Sequence, residues 1–178
     1  MSVLNMMKII KNSISKKYQN LIEKTLLENR NFPWYLLDDI TYVNGGQKRP
    51  GLSHYFVLHQ QVNSAFYEVI EPIIKKYVKS EVIRVRSFLQ FPLNRKFATG
   101  DYDEPHIDYN YEHMVYLYYV KDSDGDTIFF DRKNRKKIIK KVTPKKGTLV
   151  IFNGLTYHTA QQPKNDSRCI ININATKI

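Results

Sequence analysis

The sequence predicts a mainly β chain of jelly-roll type, with helices ahead of the sheets. Three observations predict it. Beyond Ser80, short runs rich in β-branched and aromatic residues follow one another at strand length. Turn-forming clusters separate several of them: Asp122-Ser123-Asp124-Gly125, Pro144-Lys145-Lys146-Gly147 and Asn153-Gly154. Before Ser80, apolar residues instead recur at spacings of three and four, the helical repeat. With 178 residues the chain suits one domain, residues 1–178. Residues 1–80 should be mostly helical and loop support, and 81–178 the β core.

In order, Ser13 or Ser15 can cap a helix running to Glu28, since a serine hydroxyl accepts a bond from a free amide of the first turn. Tyr18, Leu21, Ile22, Thr25 and Leu26 share one face of it. Phe32-Pro33-Trp34-Tyr35 ends it, because proline disfavours helix at the residue before it. Trp34 is expected to pack in the core rather than line a groove. Residues 41–53 carry Asn44-Gly45-Gly46, Lys48, Arg49 and Pro50-Gly51, and read as a long loop. His54 and His59 have no partner at metal-ligand spacing and read as structural. A second amphipathic helix is expected over 62–77, kinked or restarted at Pro72, which lacks the amide an interior position needs.

The β candidates are residues 82–91, 106–109, 113–121, 127–131, 137–142, 148–152, 156–160 and 168–175. Eight short strands fit a jelly roll, and the cupin-like double-stranded β-helix is the form whose two sheets leave a mouth able to hold a metal.

Composition narrows the classes. Hydrophobic residues make up 42% and charged ones 25%, ordinary for a globular chain, and no apolar run is long enough to cross a bilayer. The first residues show no secretory signal, so the expected location is the cytoplasm. One cysteine, Cys169, excludes an intramolecular disulfide and a thiolate cluster. The net charge of +11 favours acidic partners, nucleic acid among them, although it also serves solubility.

Three pieces carry the chemistry. They are Pro105-His106-Ile107-Asp108, then Asn153-Gly154-Leu155-Thr156-Tyr157-His158, then Ser167-Arg168-Cys169-Ile170-Ile171-Asn172. In an extended segment, side chains two apart point the same way, so His106 and Asp108 can take adjacent positions on a metal, with His158 as the third ligand. Two imidazoles and a carboxylate on one face, the other face open, suit a non-haem Fe(II) oxygenase. On the last strand Arg168, Ile170, Asn172 and Asn174 share one face and Cys169, Ile171 and Ile173 the other. A strand buried on both sides seldom keeps an arginine without a partner.

Through these motifs the chain resembles the Fe(II)/2-oxoglutarate-dependent dioxygenases, in their prolyl-4-hydroxylase-like branch, and oxygenases of that type found in bacterial viruses. The resemblance implies that His106, Asp108 and His158 hold Fe(II) and catalyse. It further implies that 2-oxoglutarate and dioxygen are co-substrates, with succinate and CO2 released, and that a peptide or protein side chain is hydroxylated. Arg168 is then expected to clamp the distal carboxylate of 2-oxoglutarate through its planar fork. Tyr119, on the inward face with Val115 and Leu117, should make the second contact, while Tyr116 and Tyr118 pack on the other face. Many relatives carry Ser two residues after the Arg; here the position is Ile170, and Asn172 or Thr156 can supply the third contact. The resemblance also makes 41–53 a lid.

Arg84 and Arg86 either reach into the mouth, to bind a carboxylate or an acidic substrate, or lie on a solvated face. Residues 132–146 read as a hairpin with a charged exterior. Competing functions are an oxidative nucleic-acid demethylase of the same family, a non-enzymatic cupin-like metal-binding protein, and a Zn(II) hydrolase.

Overall fold

The computed structural model describes residues 7–40, 49–93 and 102–177. Its backbone is the jelly roll in double-stranded β-helix form, built from a large and a small sheet. The large sheet runs β1(Lys8–Ile10), β9(Leu149–Asn153), β6(His113–Tyr119), β11(Arg168–Thr176), β5(Val82–Gln90), β3(Gly51–Leu58), β2(Tyr35–Leu37), with β4(Gln61–Val62) paired to β3. The small sheet runs β10(His158–Ala160), β7(Thr127–Phe130), β8(Ile138–Val142), and every pairing in both sheets is antiparallel.

The central strands of the large sheet are buried on both faces because they alternate between two apolar clusters, while the edge strands β1, β2 and β4 stay largely exposed. Ile171 and Ile173 of β11, Val85 of β5, and Tyr116 and Tyr118 of β6 face α1(Lys16–Leu27) and α2(Tyr67–Tyr77), and pack with Ile22, Leu26, Ile70 and Ile73. Ile170, Val115, Leu117 and Tyr119 face the small sheet and pack with Phe129, Val142 and Phe152. Each such isoleucine or phenylalanine contributes roughly 1.5–3 kcal/mol by leaving water, which fixes the register of β11. Cys169 lies in the helix-side cluster as a small apolar residue.

Helix α1 starts where expected: the Ser15 hydroxyl accepts from the Tyr18 amide at 3.4 Å. Trp34 packs against the same core and donates its indole N–H to the Leu26 carbonyl at 2.8 Å. Helix α2 differs from expectation. It begins at Tyr67 rather than 62, because Val62 pairs with Val57 in the β3–β4 hairpin, and it continues through Pro72 without restarting. The Glu68 carbonyl, which Pro72 cannot serve, accepts the Tyr18 hydroxyl at 3.4 Å.

Four strands, β1 to β4, occupy a region expected to be helix and loop. The largest, β3, continues the large sheet beside β5. Its alternation is masked because it is buried on both faces, with Phe56 and Val57 adjacent and His54 polar yet interior. His54 is structural, with its ring nitrogens 2.8 Å from the Pro33 carbonyl and the Ser64 hydroxyl. Residues 41–48 of the expected lid lie outside the described residues. The hairpin expected over 132–146 is displaced: it is formed by β7 and β8, so 132–146 supplies only the connection after β7 and the second strand, with residues 132–138 exposed.

Candidate active site

The expected strand at 106–109 is reduced to a single bridge. Pro105 has no amide to donate, so a ladder cannot be built through it. His106 and His158 instead exchange both backbone hydrogen bonds at 3.0 Å, outside any named strand on the His106 side. Residues directly opposite in an antiparallel pair project to one face. The two rings therefore sit together, with centroids 4.8 Å apart. Asp108 joins them by a different route, held by side chains of β11 and β5. Its Oδ2 accepts from the amides of Asn172 at 3.1 Å and Asn174 at 2.8 Å, and its Oδ1 lies 3.3 Å from Arg84 Nη2 and 3.5 Å from Arg86 Nη2.

One ligand atom from each of His106, Asp108 and His158 falls within 4.8 Å of the others. The donor set fits a divalent cation on three counts. His158 is buried, and burial together with neighbouring His106 pushes its pKa down to about 4, so it is neutral at pH 7. Its Nδ1 lies 2.9 Å from the Thr156 carbonyl, so that nitrogen carries the proton and Nε2 keeps a lone pair for a metal. Asp108 is ionised: burial would raise its pKa, but His158, Arg86, Arg84 and His106 hold it well below the carboxylate range.

The triad opens into a cavity of about 470 Å³ whose lining includes Arg168, Thr127, Gln90, Phe88, Leu117 and Ile170. Arg168 is 3% exposed and all its hydrogen bonds go to neutral acceptors. Nε donates to the Gly125 carbonyl at 2.9 Å, Nη1 to Gln90 Oε1 at 2.8 Å and Nη2 to Thr127 Oγ1 at 2.9 Å. No carboxylate among the described residues comes within ion-pair distance of it. A buried guanidinium so placed suits an incoming carboxylate, and this is the observation by which the site fits 2-oxoglutarate. Burial lowers the Arg168 pKa, with Tyr119 and Asp103 acting the other way.

Tyr119 is fully buried beside this group, and its hydroxyl donates to Thr127 Oγ1 at 2.8 Å. Burial pushes its pKa up to about 12, so it is a neutral donor. Asn172 lines the cavity, at the triad end rather than the Arg168 end. Thr156 does not line it; its backbone carbonyl orients His158. Asp103 lines it as well, 2.6 Å from Arg49 Nη1, with burial raising its pKa to about 6.

Sequence reasoning missed Thr127, Gln90, Asn174 and Asp103 as site residues. Asn174 was legible by parity with Arg168, and Gln90 by its β5 register opposite it, once the pairing is known. Thr127 carries no signal beyond its place at the start of a strand.

Comparison with known proteins agrees with this geometry. Residues 92–176 match the family model of the 2OG-Fe(II) oxygenase superfamily. No curated protein matches the chain. Among solved structures, the chain is similar in fold to the viral collagen prolyl hydroxylase of Paramecium Bursaria Chlorella virus-1 in complex with 2OG. That match has 18% identity and a TM-score of 0.61, and covers 96% of this chain and 97% of that one. It is similar also to a 2OG-Fe(II) oxygenase family oxidoreductase from Burkholderia pseudomallei, with 10% identity, a TM-score of 0.72, and coverage of 96% and 85%. A third is a Trichoplax adhaerens prolyl hydroxylase in complex with a hypoxia inducible factor peptide fragment, with 14% identity, a TM-score of 0.64, and coverage of 97% and 84%.

Proposed function

For a chain whose residues 92–176 match the 2OG-Fe(II) oxygenase superfamily, we propose a hydroxylase that acts on a peptide or protein side chain. The protein is an oxidoreductase whose cofactor is Fe(II) and whose co-substrates are 2-oxoglutarate and dioxygen. The observation that carries the assignment is the buried Arg168, bonded to neutral groups only, in one cavity with the three-donor cluster. A bare metal site has no need of a carboxylate clamp. The peptide substrate is supported by the structural neighbours that are prolyl hydroxylases, one of them holding a peptide.

The residues divide the work. His106, Asp108 and His158 would hold the metal on one face and leave the opposite face open. When bound, Fe(II) with its co-substrates supplies the oxidising power that places a hydroxyl on a C–H bond, with succinate and CO2 released. Arg168 orients 2-oxoglutarate by its distal carboxylate, and Tyr119 and Thr127 hold the guanidinium in place. Phe88, Leu117 and Ile170 keep water from that end of the cavity. Asn172 and Asn174 bond Asp108 Oδ2 and so fix which way the carboxylate faces.

Anaerobic titration of the Fe(II)-loaded protein with 2-oxoglutarate tests this. A weak visible charge-transfer band should appear in wild type and be absent from His158→Ala. With no band and no 2-oxoglutarate affinity in wild type, the oxygenase assignment fails and a metal-binding cupin takes its place.

A further inference from the structure

We propose that Arg84 and Arg86 form an anion subsite for the prime substrate, so that the favoured peptide carries a carboxylate close to the residue it presents to the triad. The proposal rests on the oxygenase assignment above and narrows its substrate class.

The register of β5 against β11 lays out the cavity floor. Gln90 is opposite Arg168, Phe88 opposite Ile170, Arg86 opposite Asn172 and Arg84 opposite Asn174. At about 3.3 Å of rise per residue, Arg86 lies roughly 13 Å along the strands from Arg168. The floor thus has two cationic ends, with the apolar pair Phe88 and Ile170 between them. The triad lies toward the second end, since both of its arginines reach Asp108. A co-substrate held by Arg168 occupies the first end. The second remains for the molecule to be oxidised.

Charge favours an anion there. Two guanidinium groups approach one carboxylate oxygen, Asp108 Oδ1, at 3.3 and 3.5 Å. Among the described residues the two guanidinium groups share that one carboxylate, on which a divalent metal would draw as well. Like charges enclosed together are relieved when an opposite charge enters. The forks are also held in position by aromatic faces: the guanidinium carbon of Arg84 sits 4.8 Å from the Tyr109 ring centroid, and that of Arg86 4.4 Å from Phe88. Stacked guanidinium groups lose little freedom on meeting a carboxylate. Both arginines line the cavity, so a side-chain carboxylate entering it can reach them, although they are shielded from bulk water, only 14% and 10% exposed. A phosphate backbone, which must track along an open basic groove, is poorly served by so enclosed a pair.

The test is a peptide array of random octamers, probed under nitrogen with protein loaded with Mn(II) and 2-oxoglutarate, so that binding is read without turnover. Wild type should select Asp and Glu over Asn and Gln by tenfold or more. Arg84→Gln and Arg86→Gln should each lose most of that preference; because both side chains also reach Asp108, metal and 2-oxoglutarate affinities are measured for each variant and the array is run with both at saturation. Arg84→Lys and Arg86→Lys keep the charge, and should keep the acidic preference at reduced affinity, which separates loss of charge from loss of fold. Normal 2-oxoglutarate binding with no acidic preference in wild type overturns the subsite alone. So does an Arg84-dependent preference for a single-stranded oligonucleotide over the acidic octamers. Absence of 2-oxoglutarate binding in wild type overturns the oxygenase assignment, and the subsite falls with it.

Discussion

Tyr119 and Arg168 meet on one acceptor, each placing a proton on Thr127 Oγ1, at 2.8 and 2.9 Å. The tyrosine thereby braces the guanidinium through a third residue. Arg168→Lys keeps a charge but loses the fork, and should weaken 2-oxoglutarate binding at least tenfold, about 1.4 kcal/mol. Tyr119→Phe removes one neutral hydrogen bond and should cost about 1 kcal/mol, a few-fold in affinity. Anaerobic titration of both variants checks the ranking. Unchanged affinity in the lysine variant would mean that the distal carboxylate sits elsewhere.

His106→Ala and His158→Ala each remove a donor from the triad. Either should reduce Co(II) affinity by a hundredfold or more, read from the visible absorption of the bound ion. Asn174→Ala leaves all three donors but frees Asp108 Oδ2 from its 2.8 Å bond, and should cost about tenfold. An asparagine variant as damaging as the histidine ones would show that Asp108 cannot hold its pose without Asn174, which also anchors Arg84 by accepting from its Nε and Nη2.

Asp103 gives a pH signature. Its folded pKa of about 6 lies above the unfolded value of about 3.9, so the group favours the folded state at low pH and loses that contribution as pH rises through 6. Between pH 5 and pH 8 the loss is on the order of 1 kcal/mol. His158 acts in the opposite sense, since its folded pKa of about 4 lies below the usual histidine value. Urea unfolding of wild type against Asp103→Asn at both pH values isolates the aspartate. The variant should lack the loss, and parallel pH profiles would show that Asp103 is ionised throughout.

Gly154 lies against the His113 ring so closely that an added Cβ would overlap the imidazole. His113 is fully buried and has no room to retreat. Gly154→Ala should therefore destabilise the fold by about 1–3 kcal/mol, measured by thermal melting. An unchanged melting temperature would show that the β9–β10 turn shifts freely, and with it the approach to His158.

Much of the site was legible because its residues obey strand parity. Arg168 and Asn172 face the cavity and Cys169, Ile171 and Ile173 the helices, as alternation alone requires. The histidine pair was legible for an incomplete reason, since His106 is placed by a bridge to His158 and not by a strand of its own. The N-terminal strands were hidden by two-sided burial: β3 is apolar or interior at successive positions and shows no period of two. Thr156 is a different case, because its contribution is a carbonyl, which every residue type possesses.

The place of β11 bears on how the molecule is made. Among the described strands it follows all the others in sequence, yet it sits inside the large sheet between β6 and β5. Until it emerges from the ribosome, those two strands present open edges to each other and to any passing chain. Asp108 likewise waits for its asparagines, and the carboxylate clamp does not yet exist. The nascent protein therefore passes through a stage in which most of the sheet is synthesised but neither end of the cavity works. Variants that slow the docking of β11 should be lost to aggregation before they are lost to inactivity.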